Sequence, residues 1–292
     1  MNVLVIGASG FLGGGAARAL QASGAAVWAT ARNESTRERV EASGFRAVSA
    51  DVEKPDELAK AAALADAVVY AVALSSAEAE VIEARALSAI VRALGGTDKA
   101  LLYTSGVWYY GPTGDRVADE TTPPNPLPTA AARPRLEKLV LDAARAGVRS
   151  AVIRPGYVYG NGQGLSALFV QSARESGAAK VIGDGANHWP VVHVDDLGEL
   201  YALALENAAS GDVYNGTDET AFTQLEIASA ASRGAGAHGA TSVWPIDDAA
   251  AAMGEWVRNL ALDQRATSVR ARSRLGWSPR AKNIVEELEG GK

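Results

Sequence analysis

There is no cysteine among the 292 residues, which excludes a disulfide framework, a thiolate zinc site and a cysteine nucleophile. Only three histidines are present, with no HExxH and no carboxylates at ligand spacing, so no metal site is expected. Positive charge is in short supply too: 28 Lys and Arg against 34 Asp and Glu leave a net charge of −6. Without a basic run, nucleic acid and anionic membrane are not expected partners. No apolar stretch reaches the roughly 18–20 residues that span a bilayer. The opening apolar run is too short for a secretory leader and lacks its basic flank, so a cytoplasmic location is expected. No serine lies in a G-x-S-x-G elbow, which removes that route to serine-hydrolase chemistry.

What is abundant is apolar and small. Hydrophobic residues make up 48% of the chain and charged ones 21%, a globular balance with room for one large α/β domain or a large and a small one. The first thirteen residues, MNVLVIGASGFLG, organise the rest. The apolar run Val3–Ile6 meets Gly7, glycines recur at Gly10 and Gly13, and helical periodicity follows through Ala16, Ala17, Ala19 and Leu20. In a strand–turn–helix, Gly7 permits the tight turn, Gly10 lets a pyrophosphate approach the backbone, and Gly13 lets helix and strand pack closely. The helix N-terminus offers free N–H groups and a positive dipole end. Ser9, Phe11 and Leu12 complete the candidate dinucleotide loop.

Strand and helix then alternate. Strands are expected at 25–30, 46–49, 67–72 and 100–104, and helices at 34–42, 55–64 and 77–94, a pattern that predicts a parallel sheet with ligands at the carboxyl ends of its strands. Residues 106–128 are irregular and proline-rich, a substrate-side loop. A helix at 133–146 and a strand at 149–153 complete the series. After residue 160 the alternation loosens. The expected fold is a doubly wound α/β sheet of Rossmann type, with the dinucleotide-binding domain at 1–159. Residues 160–292 are expected to form a small mixed substrate lobe that returns a strand and a helix to the main domain.

Cofactor choice is read at the end of the second strand. An acidic residue there would suit NAD; the chain has Thr30-Ala31-Arg32-Asn33, and Arg32 suits a 2′-phosphate. NADP is therefore expected in preference to NAD, with Arg37 and Arg39 as candidate helpers. Asp51 and Val52 are placed to meet the adenine, and Ala71 and Val72 stand at the end of the fourth strand.

GASGFLG, the pair at Asp51, YTSGVWYYG at 103–111, IRPGYVYG at 153–160 and WPVVHVDDL at 189–197 occur in that order. Together they resemble the extended short-chain dehydrogenase/reductases of the NAD-dependent epimerase/dehydratase type. The resemblance implies that Pro155, Gly156, Tyr157 and Val158 lie along the nicotinamide half of the cofactor. It also implies a Ser or Thr after the fifth strand and a Tyr-x-x-x-Lys on the next helix. In the family's frame those two positions are Thr129 and Arg133, and no tyrosine lies between Tyr110 and Tyr157. The chain in this respect resembles atypical members that lack the standard proton relay.

Replacement candidates are Ser105 (with Thr104 as fallback), Tyr109 and Tyr110 as catalytic groups, and Arg133 as a ribose or oxyanion contact. Tyr157 and Tyr159 are further phenols of the same region. Trp108, His188 and Trp189 are expected to wall a substrate pocket. His193 is expected to tie its loop together, with Asp195 capping the following helix. The expected function is an NADP-dependent oxidoreductase acting on a small, fairly apolar carbonyl or alcohol. The alternatives are a non-redox NADP-binding sensor, or an isomerase or dehydratase on the same fold. Dimerisation through the helices at 77–94 and 133–146 is the expected protein partnership.

Overall fold

Val3-Leu4-Val5-Ile6 carries no polar side chain, and all four residues are fully buried, as an inner strand of a sheet covered on both faces requires. The computed structural model describes residues 1–74, 76 and 78–290. From β1 (Asn2–Ile6) the chain runs through α1 (Phe11–Ala22), β2 (Ala26–Ala31), α2 (Glu34–Ala42), β3 (Arg46–Ser49), α3 (Pro55–Leu64), β4 (Ala67–Tyr70), α4 (Ala79–Leu94) and β5 (Ala100–Thr104). After the proline-rich stretch come α5 (Arg133–Asp142), β6 (Arg149–Pro155), β7 (Tyr157–Gly160), β8 (Gln163–Gly164), α6 (Ala167–Ser176), β9 (Ala179–Ile182) and β10 (Val191–His193). The remainder is α7 (Val194–Asn207), β11 (Asp212–Gly216), α8 (Gln224–Gly234), β12 (Thr241–Trp244), α9 (Ile246–Met253), α10 (Val269–Leu275) and α11 (Ile284–Glu289). The helix expected from Ala77 is described from Ala79; Ala77 itself lies outside the described residues.

Seven strands form one parallel sheet in the order β11-β6-β5-β4-β1-β2-β3. The chain winds outward from β1 in one direction and from β4 in the other. That reversal opens a crevice at the carboxyl ends of β1 and β4, the ordinary ligand position of such sheets. Local chemistry sets the helix starts around it. Asn33 caps α2 by accepting from Thr36 N at 2.9 Å, Pro55 opens α3, and Thr223 and Glu226 form a reciprocal capping box on α8.

The later sequence divides between two places. β11 joins the edge of the main sheet, and α7 lies against α1. A Cβ added to Gly15 would sit 2.5 Å from Val194, and one on Gly198 would sit 2.8 Å from the Gly15 carbonyl oxygen. This close approach requires glycine on both helices. Asp196 anchors the RLGWSPRA segment: its carboxylate accepts from Arg280 N and Ala281 N at 2.9 and 3.0 Å, and its carbonyl accepts from the Trp277 indole at 2.8 Å. The expected cap at Asp195 is corrected. Helix α7 begins at Val194, so the cap lies two residues earlier, at His193, whose Nδ1 accepts from Asp195 N at 3.2 Å. β7, β8 and β10 form a three-stranded sheet and β9 and β12 a parallel pair. With α6, α8 and α9 they surround a separate apolar core built on Trp189. No helix among the described residues is long and apolar enough to cross a membrane.

Candidate functional site

The glycine loop has the stereochemistry that its sequence implies. Gly7 has φ +96°, and a Cβ there would lie 2.4 Å from the Ala71 carbonyl oxygen; one on Gly13 would lie 2.3 Å from the Gly7 carbonyl oxygen. Loop, helix and β4 therefore approach at backbone distance, as only glycine allows. The first turn of α1 carries no acidic side chain, and no side chain caps its N-terminus. Its amide dipoles are left to an anion.

This loop forms one wall of a cleft of about 270 Å³. Gly7, Ser9, Gly10, Arg32, Asp51, Val52, Ala71 and Val72 all line it. Phe11 and Leu12 begin α1 beside it. Asp51 shapes its own turn by accepting from Glu53 N at 3.1 Å. At the far rim Arg32 is exposed and has no hydrogen bond or ion pair among the described residues. Thr36 and Arg39 stand beside it, with Arg39 donating to Thr36 Oγ1 at 3.4 Å. Arg37 is not part of this rim: it pairs with Glu34 and Glu41, both at 3.6 Å, along its own helix. A pyrophosphate against α1, a ribose at the end of β2 and an adenine near Asp51 fit these walls.

Beyond β4 lies the other half of the carboxyl edge. Ser105 follows β5 and is buried, with its hydroxyl unpartnered. Thr104, the fallback, shares a 2.6 Å hydrogen bond with Tyr201 and is occupied. Arg133, in the first turn of α5, donates to the Tyr103 hydroxyl at 3.2 Å and to the Thr104 carbonyl at 3.3 Å. Burial works against the Arg133 charge, but Tyr103 and Glu83 outweigh it and hold the guanidinium more basic than usual. Thr129, the other position of the implied relay, accepts from Asn259 Nδ2 at 2.7 Å. Lys138 pairs with Asp142 on the exposed side of α5, away from this edge.

The four tyrosines differ sharply. Tyr110 does not reach out as a proton donor. Its hydroxyl donates to Asn215 Oδ1 at 2.7 Å and accepts from Arg154 at 2.8 Å, and burial pushes its phenol up to about 12. Tyr157 turns its ring into the lobe core, stacked on Trp189 with centroids 4.4 Å apart, and donates to the Asn259 carbonyl at 2.8 Å. Its backbone, with Pro155, Gly156 and Val158, is what it leaves to the edge of β6 and β7. Tyr159 donates to the Lys282 carbonyl at 2.8 Å. Tyr109 is half-buried, its hydroxyl has no partner among the described residues, and its ring lies on Arg154, 3.6 Å from centroid to guanidinium carbon. Burial raises the Tyr109 phenol above its usual range, against the pull of Arg154.

Two residues expected to wall a pocket are held by the lobe's own contacts, and both border a cleft of about 210 Å³. Trp189 is 1% exposed, stacked between Tyr157 and Phe169, with its indole donating to the Leu260 carbonyl at 2.9 Å. It belongs to the lobe core, because β7 and α6 bring two aromatic rings onto it, and it still borders that cleft. His188 Nδ1 lies 2.9 Å from both Asp263 Oδ1 and Arg265 Nη2, fixed within a charged loop cluster. Trp108 stays half-buried, beside Trp256 and edge-on to Tyr157. His193 meets Glu287 at 3.1 Å; burial opposes its charge, and the carboxylate more than compensates and raises it. Among the described residues no group of His, Asp and Glu is arranged to hold a metal.

Sequence reasoning missed Arg154 and its partner Glu137. They form a doubly hydrogen-bonded ion pair, Nη2 to Oε2 2.6 Å and Nε to Oε1 3.0 Å, with side chains 3% and 2% exposed. Glu83, Tyr70 and Tyr103 were missed as well. Two of them carried a signal: Glu83 lies in the apolar stripe of α4 with Leu87, Ile90 and Leu94, and Arg154 follows directly on the apolar run Ala151-Val152-Ile153 of β6.

The profile of the NAD dependent epimerase/dehydratase family matches residues 3–215. The chain is 29% identical over 302 residues to an uncharacterized protein of Schizosaccharomyces pombe, covering 99% of this chain and 98% of that one. It is 28% identical over 229 residues to the 4-hydroxy-2-methyl-3-oxo-4-farnesyl-3,4-dihydroquinoline-1-oxide ketoreductase of Stigmatella aurantiaca, covering 75% and 68%. Its fold is similar to that of the dTDP-glucose 4,6-dehydratase of Streptomyces venezuelae solved with NAD, with a TM-score of 0.84, 22% identity and coverage of 99% and 95%.

Proposed function

The chain belongs to the NAD-dependent epimerase/dehydratase family, and we propose that it is an NADP-dependent oxidoreductase that transfers a hydride to or from a small, fairly apolar carbonyl or alcohol. The observation that carries this reading is Tyr109. Of the four candidate phenols Tyr109, Tyr110, Tyr157 and Tyr159 it alone keeps a hydroxyl without a hydrogen-bond partner among the described residues, and it lies on a cation beside Pro155. The ketoreductase relative, named for a bulky apolar ketone, supports the choice of carbonyl chemistry. When bound, the dinucleotide supplies the hydride. The chain's own residues hold the pyrophosphate at the N-terminus of α1, meet a 2′-phosphate with Arg32 and Arg39, and deliver a proton from Tyr109 to the substrate oxygen. Ser105 is placed to orient that oxygen.

A panel of ketones and aldehydes tests the reading by loss of NADPH absorbance. Turnover of at least one is expected. Tight NADPH binding with no turnover across the panel would overturn the reading in favour of a dinucleotide-binding regulatory protein. Cofactor choice has its own test. Removing a charged contact to a phosphate costs about 1.5–3 kcal/mol, so Arg32→Ala is expected to weaken NADP at least about tenfold while NAD binding holds within about twofold. Calorimetric titration of both dinucleotides measures this, and equal losses would remove the 2′-phosphate assignment.

A further inference from the structure

Buried polar atoms without a hydrogen-bond partner are rare in folded proteins. Three of them gather at one place here: Tyr70 OH at the end of β4, Glu83 Oε2 on α4, and Ser105 Oγ after β5. Their residues are 0%, 5% and 7% exposed. The Tyr70 and Tyr103 rings stand 6.0 Å apart, and Arg133 donates one nitrogen to the Tyr103 hydroxyl and to the Thr104 carbonyl. Glu83 Oε1 accepts from Leu74 N at 3.4 Å, and Leu74 lines the cleft already described. The remaining Arg133 donors have no partner among the described residues. Glu83 is drawn two ways, raised by burial and lowered by Arg133, so the acid and the base of this cluster act on each other through the phenols between them.

A cluster whose task was fold stability would close its own hydrogen bonds, because a half-satisfied buried network is less stable than an apolar one. This one leaves its acid, a phenol and a serine incomplete, and leaves a cation with spare donors at the carboxyl edge. We propose that Glu83 is a positioning residue, which acts through Tyr103 to hold Arg133 against the nicotinamide-side ribose of a bound dinucleotide. The proposal rests on the reading that the cleft takes such a cofactor. Vicinal hydroxyls suit the spare guanidinium donors as acceptors. Ser105, one residue beyond the carbonyl that Arg133 grips, completes the polar edge.

Calorimetric titration separates the two halves of the ligand. NADP is compared with adenosine 2′,5′-bisphosphate, and NAD with AMP, on the unmodified protein, Glu83→Gln and Tyr70→Phe. Glu83→Gln keeps an acceptor for Leu74 N and removes the charge. It is expected to weaken the dinucleotide about fivefold or more and to leave the adenosine fragment within about twofold. Tyr70→Phe deletes a hydroxyl that has no partner, so it is the control: it is expected to melt no lower than the unmodified protein and to bind dinucleotide and fragment within about twofold of it. Unchanged dinucleotide affinity in Glu83→Gln, or equal losses for dinucleotide and fragment, would overturn the positioning role. If the unmodified protein binds neither fragment nor dinucleotide, the cofactor reading fails first and this inference with it.

Discussion

Replacing Glu137 by leucine is expected to destabilise the protein by about 3–5 kcal/mol, the usual cost of leaving one member of a buried ion pair uncompensated. Arg154 and Glu137 are almost wholly shielded from water, so water cannot take over for the lost partner. Arg154→Met is expected to cost a similar amount, because it strands the Glu137 carboxylate and removes the donor to the Tyr110 hydroxyl. The double replacement is the informative one. With both charges gone the core is apolar, Tyr110 still donates to Asn215, and most of the loss should be recovered, since apolar replacements of buried pairs are often neutral or better. Urea denaturation of the two single variants and the double variant gives the coupling. Simply additive losses would show that the pair does not act as a unit.

That pair illustrates why the site was less legible than the fold. Seven-stranded parallel order follows from short apolar runs separated by helices, and those signals are local. β3, α2 and α3 begin and end where their sequence patterns do, because Asn33, Pro55 and the flanking glycines act on their own neighbours. The cleft was legible for the same reason, since Gly7 and Arg32 follow directly on a strand and Gly10 and Asp51 lie a few residues beyond one. β7, β8 and β10 are two to four residues long, too short for a period to declare itself, and β10 reaches β7 only through contacts distant in sequence.

The side chains misread were those whose setting is decided far along the chain. Trp189 beside a histidine in a loop reads as a pocket wall, and it does border a cleft; only the arrival of Tyr157 and Phe169 makes it core as well. Tyr109 and Tyr110 are adjacent and chemically identical, yet Asn215, more than a hundred residues away, occupies one hydroxyl and not the other. Arg154 and Glu83 could have been flagged as charges inside apolar stripes. What no pattern showed was that their partners would be Glu137 and Arg133. Both of those residues lie on α5.

Tyr109→Phe is therefore expected to lower turnover of a carbonyl substrate by about 10²–10⁴, the usual worth of a positioned general acid, with little change in NADPH affinity or melting temperature. Hydride addition to a carbonyl carbon leaves the electron pair on oxygen, and that oxygen must take a proton. Arg133 cannot give one at neutral pH, Thr129 is held by Asn259, and Tyr110 is enclosed. Tyr109 stays protonated at neutral pH because burial raises its phenol, and the Arg154 guanidinium against its ring stabilises the phenolate that forms when the proton leaves. Solvent can then return the proton, since the residue is half exposed. The Arg154→Met, Glu137→Leu double variant adds a second arm: it should fold, bind NADPH and turn over slowly, because Tyr109 has lost its cation. Full activity in Tyr109→Phe would remove it from the mechanism, and an active double variant would show that Arg154 contributes packing and not catalysis.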